Sequence, residues 1–305
     1  MALTLTEAEK LSNDVLLKGI IQTTVKDSAV LQRMPFIEIV GNALTYNREN
    51  AMASAGFYDV GDTWAESTPT FTQLTATLKI LGGDADVDNF IKATRSNIQD
   101  IEAAIIEMKA KALRHKFEDT FLYGDTAVDA KSFDGLRKLI ATGTASDQVI
   151  AAGASGATLT LAMLDQLIDA VKGQKPDLLL MSRRSRRKIV ALMRAVSGWQ
   201  QAFDQAGNLV ELYNGIPIGI TDWQLDTHTV ASSVETLTTG STCSVIYALA
   251  FGEGAIAGVS APGLIKAESL GSLETKDATR TRIKWYCGLA DFSVVKRAAL
   301  IGVKD

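Results

Sequence analysis

The chain has 305 residues, 47% hydrophobic and 22% charged, an ordinary globular composition with enough apolar material for a full core. Its 31 basic and 35 acidic residues leave a net charge of −4, which removes any global electrostatic case for nucleic-acid binding. Cys243 and Cys287 fit no metal or redox spacing, and His115 and His228 are too few for a histidine-rich metal centre.

Residues 1–34 read as an arm. The opening MALTLTEAEKL carries acids and lacks the apolar stretch of a signal peptide. Thr6 and Glu9 form a capping box, Leu11, Val15, Leu16, Ile20 and Ile21 give a helical stripe, and Ser28 caps a short turn before Pro35. Residues 35–90 read as a long hairpin with an irregular tip. FIEIVGNALTYN is extended, and TQLTATLKIL alternates with Leu74, Ala76, Leu78 and Ile80 on one side. The tip carries Phe57, Tyr58 and Trp64. Compact domains rarely keep so long a connection without a use, so these aromatics either bury against another surface or fold back on their own chain.

SNIQDIEAAIIEMKAKALRHKFEDTFLY (96–123) predicts the longest helix, about 40 Å at 1.5 Å per residue. Ser96 and Gln99 make its capping box. It shows two apolar stripes, Ile98, Ile101, Ile105, Met108 and Ala112, then Ile106, Ala110, Leu113, Phe117 and Phe121. That width predicts burial against two elements. FDGLRKLI (133–140) predicts a short strand or turn, and GTASDQVIAAGASGAT (143–158) a small-residue linker with a domain boundary near Gly156.

From 157 to 263 the pattern becomes α/β. TLTLAMLDQLIDAVKG is a helix, LLLM a buried strand, and Ser182 caps a helix over 183–196 with Ile189, Val190, Leu192, Met193 and Val196 inward. Residues 199–208 wander. Asn214-Gly215 between LVELY and IPIGI predicts a hairpin, and CSVIYALAFG another buried strand. From 264 the chain returns to strands. TRTRIKWYCGLADFSV puts Arg280, Arg282 and Lys284 on a wet face and Ile283, Trp285, Cys287 and Leu289 on a buried one, paired with the first domain.

Chemical motifs are weak. Gly252, Gly254 and Gly258 follow a strand as a dinucleotide fingerprint would, with Glu274 downstream, but AIAGVSAPG breaks the helix a phosphate needs, so a turn is favoured. Asp84, Asp86 and Asp88 begin like a calcium loop, yet Asn89 and Arg95 stand where Gly and Glu belong, which favours solvated loop acids. Arg183, Arg184, Arg186 and Arg187 crowd a helix start, against the dipole; they offer contact to an anion such as DNA, or a solvated face. Trp199, Phe203 and Tyr213 suit a core or an interface better than a ligand pocket, and His115 suits the surface.

The order of parts resembles the major capsid proteins of tailed bacteriophages with the Hong Kong 97-type fold, an α+β architecture. FDGL, LYNGIPIGITD, YALAFGEGAIAGV and RTRIKWYCGLADFSVVKRAALIGV carry the resemblance. It implies an N-terminal arm (1–34), an extended E-loop (35–90), a P-domain with the spine helix (91–156), an inserted A-domain (157–263) and returning P-domain strands (264–305). It further implies pentamers and hexamers of a shell around DNA, with no enzyme activity, cofactor, metal or membrane. Phe57, Tyr58, Trp64, Trp199 and Phe203 become candidate subunit contacts. The short arm implies a separate scaffolding protein, and the family a portal protein, with assembly in the bacterial cytoplasm and residence in the virion. Ala43 to Leu78 contains no lysine, which predicts a shell without E-loop crosslinks. An encapsulin-type compartment holding a cargo enzyme shares this fold; a nucleotide-dependent oxidoreductase built on the glycine turn is the rival from another class.

Overall fold

The computed structural model describes residues 28–304, apart from 52, 91–100, 144–145, 197–199, 204–208, 232–233 and 238–241. The expected arm helix, the Ser96–Gln99 box and Trp199 lie outside the described residues. Described elements run in chain order. β1 (Phe36–Glu38), β2 (Ala43–Ala51), β3 (Thr70–Thr77) and β4 (Lys79–Asp88) precede the spine helix α1 (Ile101–Tyr123). Then come α2 (Leu136–Gly143), β5 (Val149–Ala151), β6 (Ala157–Thr158), α3 (Leu161–Ala170), β7 (Leu178–Met181) and α4 (Arg183–Ala195). β8 (Gln200–Phe203), β9 (Leu209–Tyr213), β10 (Ile216–Ile220), β11 (His228–Ala231), β12 (Val234–Leu237) and β13 (Ser244–Leu249) follow. β14 (Ile256–Ser272), β15 (Ala278–Asp291) and β16 (Arg297–Lys304) close the chain.

Two sheets form the body. The smaller has order β1-β14-β15-β4; the larger runs β5-β16-β13-β7-β10-β9-β8, with β6 also pairing β16. The centre of the larger sheet, β16, β13 and β7, is buried on both faces, which is why β7 and β13 read as unbroken apolar runs. In β7, Leu178 and Leu180 enter one core while Leu179 and Met181 enter the other. β13 splits the same way: Val245, Tyr247 and Leu249 face the first core, Ile246 and Ala248 the second. α3 and α4 supply Leu164, Leu167, Ile189 and Met193 to the second core. Thr160 caps α3 by accepting from the Met163 N–H at 3.3 Å, and Ser182 caps α4 by accepting from Ser185 N–H at 3.4 Å. Asn214 and Gly215, at φ 49° and 72°, make the two-residue turn that joins β9 to β10.

The first core holds α1 against the smaller sheet. Ile106, Ala110, Leu113, Phe117 and Phe121 are all buried, and the Phe117 ring stacks on Trp285 at 4.6 Å. Ser28 starts the described chain as expected, accepting from Leu31 N–H at 3.2 Å, and sends Val30, Leu31 and Met34 into this core. The other α1 stripe departs from expectation among the described residues: Ile105 is half-buried, Met108 is 60% exposed and Ala112 is exposed.

Several local readings are corrected. FDGL begins a helix rather than a strand: Asp134 accepts from Thr126 N–H at 2.9 Å, Gly135 N–H donates to Gly124 at 2.8 Å, and α2 follows. TQLTATLKIL is two strands with a phase change at Leu78, so Ala76 is buried but Ile80 lies exposed. Asp84 and Asp86 sit on β4, not in a loop, where Arg282 and Arg280 grip them with paired hydrogen bonds of 2.6–2.9 Å. Val196 ends α4 exposed rather than inward. The stretch after it includes β8. The strand expected from 264 already starts at Ile256, and β16 joins the larger sheet through β13.

Candidate functional site

The β2–β3 hairpin pairs with neither body sheet; the two strands form a sheet of their own, from Ala43↔Thr77 to Ala51↔Thr70. A small cluster seats its base. Ala76 is buried with Ile39, Val259 and Ala290, and Tyr46 packs its ring 4.7 Å from Phe292. Beyond Glu49 the strand residues are exposed, and the connecting residues from Ala53 to Thr70 almost all are.

The tip keeps a local shape without a core. Asp62 N–H donates to the Asp59 carbonyl at 3.1 Å, while the Asp62 carboxylate accepts from Asp59 N–H at 2.7 Å. Ser67 Oγ accepts from Ser54 N–H at 2.9 Å across the loop. Tyr58 and Trp64 stack at 4.5 Å, yet Trp64 remains 77% exposed and Phe57 has no covering at all. Phe57, Val60 and Trp64 therefore all stand exposed on one loop. Of the remaining aromatic candidates, Phe203 ends β8 at the edge of the larger sheet, in register with Leu209.

The arginine cluster is less available to an anion than its sequence suggests. Arg183 pairs Asp222 through two hydrogen bonds, one of 2.9 Å, and Arg186 pairs Glu211 likewise, one of 2.6 Å. Arg184 donates to the Thr242 carbonyl at 2.6 Å. The carboxylates raise both paired guanidinium pKa values above the ordinary range. These pairs relieve the adverse dipole placement at the start of α4.

The glycine motif is a turn followed by a strand. Ala255 N–H donates to the Gly252 carbonyl, β14 begins at the next residue, and the Phe36 ring lies over Gly258 so closely that a Cβ there would sit 2.4 Å from it. His115 is partly covered, its ring 4.8 Å from Trp223, and burial with Arg114 beside it lowers its pKa. Tyr213 is a core residue whose hydroxyl donates to Asp165 at 2.7 Å. Cys243 and Cys287 are free and buried, and burial pushes the Cys287 thiol up to about 12. Among the described residues no cluster of metal-ligating side chains occurs, and no helix is long and apolar enough to cross a membrane.

Comparison with known proteins meets this geometry. Residues 18–167 match the family Major capsid protein GP7. Solved structures of similar fold include the holo-SrpI encapsulin complex from Synechococcus elongatus PCC 7942, at 15% identity and a TM-score of 0.66, covering 90% of this chain and 87% of that one. The capsid of the native GTA particle is similar at 14% identity and 0.63, covering 92% and 91%. Mycobacterium phage Bobi gives 14% and 0.61, covering 91% of each chain. No curated protein sequence matches.

The chain has a Hong Kong 97-type capsid fold. The family match and this fold together support a structural capsid subunit, and the family points to a structural rather than a catalytic role. In a capsid fold the exposed hairpin tip needs no ligand to account for it.

Proposed function

We propose that the chain is the shell subunit of an icosahedral phage capsid, assembling through pentamers and hexamers around double-stranded DNA. The observation that carries this reading is the β2–β3 hairpin, whose apolar tip is uncovered in the single chain. Shells form when many copies repeat one such contact under closed symmetry. In this reading residues 1–34 are the arm, 35–90 the E-loop, 91–156 and 264–305 the P-domain, and 157–263 the A-domain around the five-fold and six-fold axes. A separate scaffolding protein and a portal protein are its assembly partners, in the bacterial cytoplasm, with the virion as final location. Packaged DNA makes non-specific contact only, in keeping with a net charge of −4 and with arginines already held by Asp222 and Glu211.

Particle size tests the reading. Light scattering with negative-stain microscopy of the purified chain is expected to show closed shells, or uniform pentamers and hexamers. A compact monomer under every condition, scaffold and crowding agent included, would refute it. The second reading is an encapsulin-type compartment, favoured by the similarity to the encapsulin complex. Nuclease-protected DNA inside the particles supports the phage capsid; a co-purifying cargo enzyme and no DNA supports the compartment.

A further inference from the structure

Asp291, at the end of β15, is buried and meets two guanidiniums at one carboxylate oxygen. Arg297, from β16, is the largest fully buried side chain; it pairs with Asp291 and donates to the Leu139 carbonyl at 2.9 Å. Arg48, from the hairpin strand β2, reaches the same carboxylate oxygen at 2.9 Å. Arg48 also donates to the Asp291 carbonyl and, through Nε, to the Phe292 carbonyl at 3.2 Å. The Tyr46 hydroxyl, two residues back on the same strand, donates to the Asp291 carbonyl at 2.9 Å.

The two guanidiniums do different work. Burial pulls Arg297 below the ordinary guanidinium range while Asp291 pulls it back up, so Asp291 is the counter-charge that makes a buried arginine tolerable. Arg48 is partly exposed and belongs to the projecting hairpin rather than to the body. Removing Asp291 would strand a buried cation. Removing Arg48 leaves Asp291 still paired.

We propose that Arg48 and Asp291 form a latch that fixes the direction of the β2–β3 hairpin against the body, with Arg297 holding Asp291 in place from within the body. Tyr46 and Arg48 grip a turn of backbone (Asp291–Phe292) with several bonds, which limits both swing and twist of a hairpin whose other support is a small apolar cluster. Arg48 is thus a positioning residue. The latch is a property of one chain and does not depend on shell formation. If the chain builds shells, the latch sets the angle at which the tip meets a neighbour.

Spin labels at V60C on the tip and V128C on the body report this angle by pulsed dipolar distance measurement. Both positions are exposed, and the native cysteines are buried away from the label. Full-length labelled chain is diluted in unlabelled chain to suppress distances between copies. Arg48→Ala is expected to widen the distance distribution roughly twofold, Tyr46→Phe to widen it less, and Arg183→Ala, which breaks an exposed pair elsewhere, to leave it unchanged. The thermal midpoint of each variant, followed by near-UV circular dichroism, checks that the body remains folded. An unchanged distribution in Arg48→Ala, or the same widening in Arg183→Ala, would overturn the latch. Failure of the chain to form shells would overturn only the proposed function.

Discussion

Gly258 shows how one residue can read as chemistry and turn out to be packing. It completes a glycine motif after a strand, but β1 runs parallel to β14 with Phe36 opposite Gly258, and the ring occupies the space of a Cβ. Gly258→Ala is expected to cost about 2–4 kcal/mol by displacing Phe36 from Trp285 and Phe117, read as a lower denaturant midpoint. No change in midpoint would show that the ring moves aside freely. The charged ladder gives a pH prediction at the same scale. Hydrogen bonds from Arg282 and Arg280 lower the Asp84 and Asp86 pKa values from 3.8. Groups depressed on folding add stability that is fully present above the unfolded value and lost as pH falls through the folded one. Asp84→Asn with Asp86→Asn should therefore flatten the acid limb of thermal midpoint against pH, below about pH 4, and leave the neutral limb parallel to wild type. A steeper acid limb in the variant would contradict the pairing.

At the scale of elements, α1 separates what a sequence can specify from what it cannot. Its periodicity marks two apolar stripes equally well, because a helix wheel records hydrophobicity and not the neighbours that consume it. Among the described residues the stripe through Phe117 is buried, while Met108 and Ala112 of the other stand exposed. Phe117→Ala should cost about 3–5 kcal/mol of subunit stability, and Met108→Ser less than about 0.5 kcal/mol. Chemical denaturation of the isolated subunit checks both, and equal losses would mean that the second stripe is also buried in solution. The β3–β4 stretch was illegible for a different reason. A period-two pattern continues through Leu78, while the chain leaves one sheet and enters another with its inside and outside exchanged. By contrast β7, β13, the Ser182 cap and the Asn214-Gly215 turn were legible, since each depends on local chemistry or on full burial. The hairpin aromatics were legible as a cluster. Their support at Asp291 was not, because residues 48, 291 and 297 are brought together only by the tertiary fold.

At the scale of the whole molecule, the body is self-sufficient and the hairpin tip is not. Fully burying an aromatic side chain removes about 150–250 Å² from water, worth about 4–6 kcal/mol as an upper bound at about 25 cal/mol per Å². Among the described residues Phe57 gains none of this, and Trp64, 77% exposed, only a minor part. If a neighbouring subunit covers them, even one side chain's share corresponds to about a thousandfold in the concentration needed for association. The paired variant Phe57→Ser with Trp64→Ser is therefore expected to fold normally, because the Tyr58–Trp64 stack is local to the tip and touches no core residue named above. Its thermal midpoint as a subunit should match wild type within about 2 °C. Assembly, followed by light scattering across a concentration series, should fail or shift upward by at least about a hundredfold. Shells that form at the wild-type concentration would show that the tip is not the subunit contact, and would move the search to other exposed apolar side chains, Met108 on α1 and Ile80 on β4 among them.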